Sequence, residues 1–285
     1  MIHYPILGAL ALASGTIFQK IVLKRKRINI QLYQVLEFFA ILLLMLPIVY
    51  FFWKIDYSQV FILKNIFIFS LVIAFSIVAN LFTFYSMKWE KVSNLEPAKI
   101  LEPLFVILLA IFFSYLIGQE MFERNTKIII PALIAGIVLV FSHLKKHHLN
   151  FNKYFIAAVL GSFFFALELV ISRLILNIYS PITFYFLRCS FIFLISWALF
   201  RPKLIKLNAK VKLEILAIGA CWVFYRVIIY YGYLSFGVIF TTLMIMMGPV
   251  LIYIFAWKFL KEKLEWRNLA AALIIVGCVL YATLG

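Results

Sequence analysis

Charged side chains interrupt long apolar segments of this sequence, and their types suit the binding of a charged small molecule. They are Glu37, Glu96, Lys99, Glu102, Glu168, Arg188 and Arg226. The cations Arg226, Arg188 and Lys99 could bind a carboxylate or a phosphate, because a cation in a low dielectric attracts anions strongly. The carboxyls of Glu102 and Glu168 could bind an ammonium group or exchange a proton. These residues therefore predict a site for a small polar molecule, and an amino-acid-like zwitterion would suit both signs.

Helical spacing places several of these charges on polar stripes. Steps of three or four residues join Gly219, Trp222, Arg226, Tyr230 and Tyr233. A second stripe joins Gly161, Phe165, Glu168 and Ser172, and a third joins Ser76, Asn80, Thr83 and Met87. Residues at this spacing share one face of a helix, and a polar face should point away from lipid. The stripes add Asn80, Trp222 and Tyr230 to the predicted substrate-binding residues, although tyrosines at this spacing also serve helix packing.

A third group of charges lies in one segment at steps of three residues. Glu96, Lys99 and Glu102 share about a third of a helix surface, and Pro97 and Pro103 permit a bend beside them. We interpret Glu96 and Glu37 as gate candidates. The alternative is that Glu96 and Lys99 lie at the membrane interface.

A structural role is the alternative interpretation for the central charges. Glu168 with Arg226 or Arg188 could form an ion pair that only fixes the packing of helices. Glu37 and Arg188 occupy matching positions in the two halves of the chain, and this correspondence favours gate elements over a direct pair.

Composition shows which kind of element must position these residues. The chain has 285 residues, of which 66% are apolar and 13% charged, with a mean hydropathy of +1.08. A soluble domain averages roughly 45 to 50% apolar and about 25% charged residues, so this chain is expected in a bilayer. The net charge of +16 does not indicate nucleic acid, because most basic residues lie in short gaps between apolar runs. The cysteines have neither disulfide nor metal-ligand spacing, and we predict no metal and no cofactor.

The apolar segments have the length of membrane-spanning helices. We place them at about 4–23, 31–52, 64–87, 92–117, 127–143, 154–176, 181–200, 213–234, 237–260 and 267–284. The connections are too short to hold a soluble domain. The predicted fold class is all-α integral membrane, with ten transmembrane helices.

The two halves of the chain resemble each other. Tyr85 and Pro103 align with Tyr231 and Pro249, and Glu120 aligns with Glu262 after a short deletion. We therefore predict two five-helix repeats, 5–143 and 154–284. An odd number of spans in each repeat inserts the second copy upside down, which makes an inverted repeat.

Short motifs in these halves resemble a known family, the EamA-type transporters of the drug/metabolite transporter (DMT) superfamily. They are Leu101-Glu102-Pro103-Leu104-Phe105 with Gly118-Gln119-Glu120, and Gly248-Pro249-Val250 with Leu260-Lys261-Glu262. The resemblance implies a ten-helix carrier. The first span is also similar to that of the four-helix small multidrug resistance relatives, but Leu12 stands where those proteins carry an essential carboxylate.

Basic residues are concentrated in the gaps after spans one, three, five, seven and nine. The positive-inside rule then places both chain termini outside the cytoplasm. Many members of the resembled family are thought to have both termini inside, so the two lines of reasoning disagree.

Three classes of function compete. Inverted halves, proline-interrupted spans and core charges favour a secondary transporter, or permease, that works by alternating access in the cell membrane. A membrane channel or a lipid-handling protein is the alternative. An enzyme is not expected, because the sequence contains no H-E-x-x-H, G-x-S-x-G or P-loop motif. The predicted partners are a small-molecule substrate, a coupling proton or counter-substrate and membrane lipids, but no nucleic acid. Small-residue stripes such as Ala132 to Gly136 could also support a homodimer.

Overall fold

The structure is a computed structural model and describes residues 3–117, 122, 124–143, 152–203, 205–248 and 266–284. Every named element in these ranges is a helix, and one isolated antiparallel bridge joins Ile55 to Tyr179. The predicted all-α class is thus confirmed for the described part of the chain.

The helices follow the predicted apolar runs closely. They are α1 (His3–Leu23), α2 (Ile30–Phe52), α3 (Tyr57–Val60), α4 (Leu63–Trp89), α5 (Val92–Lys99), α6 (Leu101–Ile117), α7 (Thr126–His143), α8 (Lys153–Ser172), α9 (Pro181–Phe200), α10 (Ala209–Ser235), α11 (Val238–Ile245) and α12 (Trp266–Leu284). A 3₁₀ turn, Leu176–Ile178, lies between α8 and α9.

Six of the described helical segments are long and apolar enough to cross a membrane. They are Ile30–Phe52, Leu63–Trp89, Pro97–Ile117, Lys153–Ser172, Pro181–Phe200 and Ala209–Ser235. Shorter apolar helices cover Leu10–Leu23, Thr126–Ser142 and Leu269–Leu284. Most of the predicted ninth span, from residue 249 onward, lies outside the described residues. So do the motif residues 118–120, 249–250 and 260–262.

A proline divides one predicted segment, and a glycine precedes the helix of another. The fourth run is divided at Ile100, because Pro103 has no N–H to donate to the carbonyl of Lys99 and its ring crowds that carbonyl. Gly237 precedes α11 with φ 85° and ψ 171°, a conformation that only glycine adopts at low cost.

Polar side chains fix where several helices begin. Asn29, Asn152 and Asn208 accept hydrogen bonds from backbone N–H groups in the first turns of α2, α8 and α10, and Ser180 does so for α9. Each bond satisfies an N–H group that has no partner within the helix. These caps set the register of the helices that carry the candidate site.

The core forms where helices of the first half pack against helices of the second. α4 packs along α8, α1 along α10, α2 along α9 and α7 along α12. At the α4–α8 crossing, a Cβ atom on Gly161 would lie 2.5 Å from Thr83 Oγ1. Glycine is therefore required there for the close approach of the two helices.

Basic side chains hold one end of the bundle together, and we name it the Lys-rich end. Lys20 on α1 donates to the backbone carbonyls of Met87 and Glu90, where α4 ends, and Lys88 on α4 donates to the carbonyl of Ile28. Arg25 pairs with Glu214 near the beginning of α10 at 2.5 Å.

The start of α8 lies at the same end. Asn152 Nδ2 donates to Glu90 Oε2 at 3.1 Å. The Lys-rich end therefore collects the last turns of α1 and α4 and the first turns of α8 and α10.

Backbone contacts close the opposite end, where α2 ends and α9 begins. The Ser180 N–H donates to the Lys54 carbonyl at 3.0 Å, and the Asp56 N–H donates to the Ile178 carbonyl at 2.8 Å. The Ser180 hydroxyl also donates to the Phe52 carbonyl at 2.7 Å. Since α2 ends where α9 begins, these two packed helices run antiparallel.

Candidate functional site

Glu168 on α8 is the centre of a buried charge cluster. Its side chain is completely buried and contacts two arginines from neighbouring helices. Arg188 Nε on α9 lies 3.1 Å from Oε1, and Arg226 Nη1 on α10 lies 3.3 Å from Oε2. Among the described residues, one carboxylate thus forms ion pairs with both guanidinium groups.

Neutral groups complete the coordination of Glu168. The Tyr230 hydroxyl donates to Oε1 at 2.9 Å, and the Ser172 hydroxyl lies 3.2 Å from the same oxygen. Hydrogen bonds of this kind orient a buried carboxylate and stabilise its charge. Glu168 is therefore held firmly between α8, α9 and α10.

The two arginines differ in their remaining partners. Arg188 Nε donates to Ser76 Oγ on α4 at 2.9 Å, and its guanidinium lies 5.6 Å from the ring centre of Tyr185. The Arg226 guanidinium lies 5.2 Å from the ring centre of Phe165. In the part of the chain that the structure describes, its Nη1 has no hydrogen-bond partner of good geometry. Arg226 consequently retains donor capacity for another acceptor.

A second buried carboxyl, Glu37 on α2, has a different environment. Gln19 Nε2 on α1 donates to Glu37 Oε1 at 3.2 Å. The Tyr33 hydroxyl and the Trp222 indole N–H lie beside the same carboxyl. Glu37 Oε2, Tyr33 Oη and Trp222 Nε1 are all buried, yet none has a hydrogen-bond partner of good geometry among the described residues. This centre holds unused donors and acceptors together.

A narrow cavity of about 30 Å³ connects the two centres. It is lined by Glu37, Phe38, Ile41, Asn80, Phe165, Tyr185, Arg188, Trp222 and Arg226. Such a volume accommodates water but not a metabolite. In this conformation the candidate site is therefore nearly closed.

The predicted site residues differ in where they lie relative to the cavity. Arg226, Arg188, Asn80, Trp222 and the gate candidate Glu37 line the cavity, while Glu168 and Tyr230 hold the arginine pair from behind. Glu102 on α6 lies within electrostatic range of Arg226 and Glu168. Lys99 instead contacts Met87 Sδ at 3.2 Å, near the Lys-rich end. The side chain of the other gate candidate, Glu96, lies outside the described residues.

Sequence reasoning missed Gln19 and Tyr33 around Glu37, and Tyr185 beside Arg188. Gln19, an amide within the mostly apolar first span, was a usable signal, because an amide in lipid needs a partner. For the tyrosines no such signal existed, since Tyr is common throughout this chain.

Comparison with known proteins identifies the second half of the molecule. The model of the EamA-like transporter family matches residues 152–284. The second half of the chain is therefore similar to EamA-like transporters. The EamA-like unit contains Glu168, Arg188 and Arg226, and its family consists of transporters rather than enzymes, within the DMT superfamily. The family and the apolar helices together make this chain an integral membrane protein.

The fold also extends over the first half. A solved crystal structure superimposes with a TM-score of 0.68 at 15% sequence identity, covering 99% of this chain and 98% of its own. At this identity the likeness concerns the fold alone. Among curated proteins there is no match. The EamA-like unit is thus part of a fold that the whole chain shares with a known structure.

Proposed function

We propose that this protein is a secondary transporter that moves a small anionic or zwitterionic metabolite across the membrane by alternating access. The observation that carries the proposal is the pair of buried arginines beside the cavity, because among the described residues Arg188 and Arg226 share one ion-pair partner, the carboxylate of Glu168. A buried cation without its own counter-ion is costly, so an anionic group on a ligand would be attracted strongly. Arg226 Nη1 is the donor best placed to bind it.

The remaining lining residues suit the rest of an amino-acid-like molecule. The Asn80 side-chain carbonyl could accept a hydrogen bond from an ammonium group, and the carboxyl of Glu102 lies within electrostatic range. The faces of Trp222 and Tyr185 could pack against an apolar or aromatic tail. Tyr230 acts through Glu168, and Lys99 would serve the pathway at the Lys-rich end.

Two inverted repeats, 5–143 and 154–284, would supply the moving parts. The packing supports this division, because exchanging the halves converts the α4–α8 pair into the α10–α1 pair and leaves α2–α9 and α7–α12 unchanged. The directions agree as well, since α1 ends at the Lys-rich end where α8 begins. Rocking of one repeat against the other around a central site is the usual mechanism of such folds.

The side-chain contacts follow the same pseudo-symmetry. The alignment of Pro103 with Pro249 also pairs Ser76 with Trp222 and Asn80 with Arg226. In the structure, Arg188 donates a hydrogen bond to Ser76 on α4. Glu37, which corresponds to Arg188 in the first repeat, lies beside Trp222 on α10, which corresponds to Ser76. Equivalent positions thus meet equivalent partners, but with opposite charge on α2 and α9. This asymmetry suits gates that respond differently to an anion.

The proposed transporter has ten membrane spans and lies in the cell membrane, and both ends of its helix bundle are closed in this conformation. Contacts at the Lys-rich end and between the α2–α3 and α8–α9 connections support an occluded state, which alternating access would require between two open states. A coupling proton or counter-substrate would drive the transport cycle. Membrane lipids would surround the protein, and the small-residue face of α7 could join two copies of the chain.

The first experiment is counterflow in liposomes loaded with unlabelled amino acids, organic acids, nucleobases or sugar phosphates. Saturable uptake of one labelled class is expected for the wild type. Arg226→Ala should reduce this uptake by at least about tenfold, because it removes the proposed ion pair between Arg226 and the anionic group of the substrate. Loss of one partner of a buried ion pair costs several kcal/mol. Uptake is measured at equal reconstituted protein.

Lys210→Ala is the matched control, since Lys210 is an exposed basic residue on the same helix. It should retain wild-type counterflow. Normal flux in Arg226→Ala would remove Arg226 from the site. Leak of dye or lipid without counterflow would support the channel or lipid-handling alternative instead.

A further inference from the structure

The two buried carboxyls of the core have opposite electrostatic environments. Glu168 forms ion pairs with two arginines. Glu37 lies on the cavity wall and is only 3% exposed. Among the described residues, no basic nitrogen forms an ion pair with it. A buried carboxylate without a cation is strongly disfavoured compared with the neutral acid.

The groups around Glu37 come from every helix packed beside it. They are Gln19 from α1, Tyr33 on α2 itself, Asn80 from α4, Tyr185 and Arg188 from α9, and Trp222 and Arg226 from α10. Both arginines among them are already engaged by Glu168. The groups that contact Glu37 directly are neutral.

The geometry also provides for a change of protonation. Glu37 Oε2 is buried beside the hydroxyl of Tyr33 and the indole N–H of Trp222. Within the described ranges, all three atoms lack hydrogen-bond partners of good geometry. A protonated carboxyl can donate from this oxygen, and a carboxylate can accept both donors after a small rearrangement. The adjoining cavity has room for water, which could deliver or remove the proton.

We propose that Glu37 is the proton-binding group that couples transport to a proton gradient. This inference rests on the proposed function and names its coupling ion. In the occluded state Glu37 is the neutral acid, and it exchanges its proton with water when the cavity opens to either side. A substrate anion held by Arg188 and Arg226 favours protonation of the nearby Glu37, so proton and anion move together.

The test uses the wild type, Glu37→Gln and Glu37→Asp in liposomes, with the labelled amino acids, organic acids and sugar phosphates of the counterflow panel. Wild-type vesicles should accumulate one class when a pH gradient is imposed. Glu37→Gln cannot exchange a proton at this position. Vesicles that contain this variant should therefore take up the same amount of substrate with and without a pH gradient. Glu37→Asp should recover part of the driven uptake, because it can titrate.

Asp56→Asn is the control, because Asp56 is an exposed carboxyl in the connection after α2. Hydrogen bonds from Ser58 keep its pKa below the usual range, and asparagine can still cap α3. It should leave the pH-driven uptake intact. Gradient-driven accumulation in Glu37→Gln equal to that of the wild type would overturn the proposal.

An infrared measurement keeps the proposal testable if Glu37→Gln transports nothing. At neutral pH, wild type minus Glu37→Gln should show the C=O band of a protonated carboxylic acid, with a shift in D₂O. A difference spectrum without this band would show an ionised Glu37 and contradict the proposal. Absence of counterflow from the wild type, with the band present, would count against the transporter assignment but not against the protonation of Glu37.

Discussion

At the residue scale, the shared carboxylate of Glu168 explains how two arginines can be buried in an apolar bundle. Each guanidinium contacts one of its oxygens, and aromatic rings of Phe165 and Tyr185 lie against the arginines. Such arrangements tolerate little change, because removal of the anion leaves two uncompensated charges.

Glu168→Gln should therefore destabilise the protein strongly, by about 3–5 kcal/mol as for other broken buried pairs. Thermal unfolding in detergent, followed by the exposure of native cysteines, measures this loss. Glu214→Gln removes the partner of Arg25 at the partly exposed Lys-rich end, where a pair contributes only about 0–1 kcal/mol. Equal, small losses in both variants would mean that the Glu168 cluster contributes little to stability.

At the element scale, reciprocal lysine contacts join the last turns of α1 and α4. Lys20 donates to carbonyls at the end of α4, and Lys88 donates to a carbonyl just after α1. Cations at helix C-termini satisfy free carbonyls and interact favourably with the helix dipole. We interpret this pair of contacts as a closure of the Lys-rich end.

The double variant Lys20→Met, Lys88→Met should open this end more often. Hydrogen–deuterium exchange should then become faster in residues 24–29 and in the last turn of α4, because local opening exposes their backbone amides. Lys64→Met changes an exposed lysine at the opposite end of α4 and serves as the control. If both variants exchange at the wild-type rate, the lysines do not hold this end closed.

At the scale of the whole molecule, charge distribution bears on the orientation in the membrane. The Lys-rich end carries the last turn of α1 and the connection to α2, and the Lys54 region lies at the other end of α2. Because basic segments are retained in the cytoplasm, the Lys-rich end is expected there, with both chain termini outside.

Cysteine labelling in intact cells checks this orientation. In a background without Cys189, Cys221 and Cys278, Lys26→Cys should react with an impermeant thiol reagent only after permeabilisation. Lys54→Cys, which is also exposed, should react in intact cells. Labelling of Lys26→Cys from outside, with Lys54→Cys protected, would establish the reverse topology and favour the orientation common in the resembled family.

The positions of the helices, and the side chains that need an explanation, could be predicted from the sequence alone. Apolar length set the boundaries of α2, α9 and α10 to within a few residues, because crossing lipid requires a continuous apolar helix. The cost of charge in lipid likewise singled out Glu37, Glu168 and Arg226. These properties are local, so they can be read along the chain.

Which charges form pairs depends instead on how the helices pack against one another. The packing of α8 against α4, α9 and α10 pairs Glu168 with both arginines and leaves Glu37 with neutral neighbours, while Lys99 lies towards the Lys-rich end. Partner choice depends on helix crossings between residues far apart in sequence, such as the one that Gly161 permits. Polar residues at helical spacing show which face of a helix points into the bundle. They do not show which side chain of another helix that face will contact.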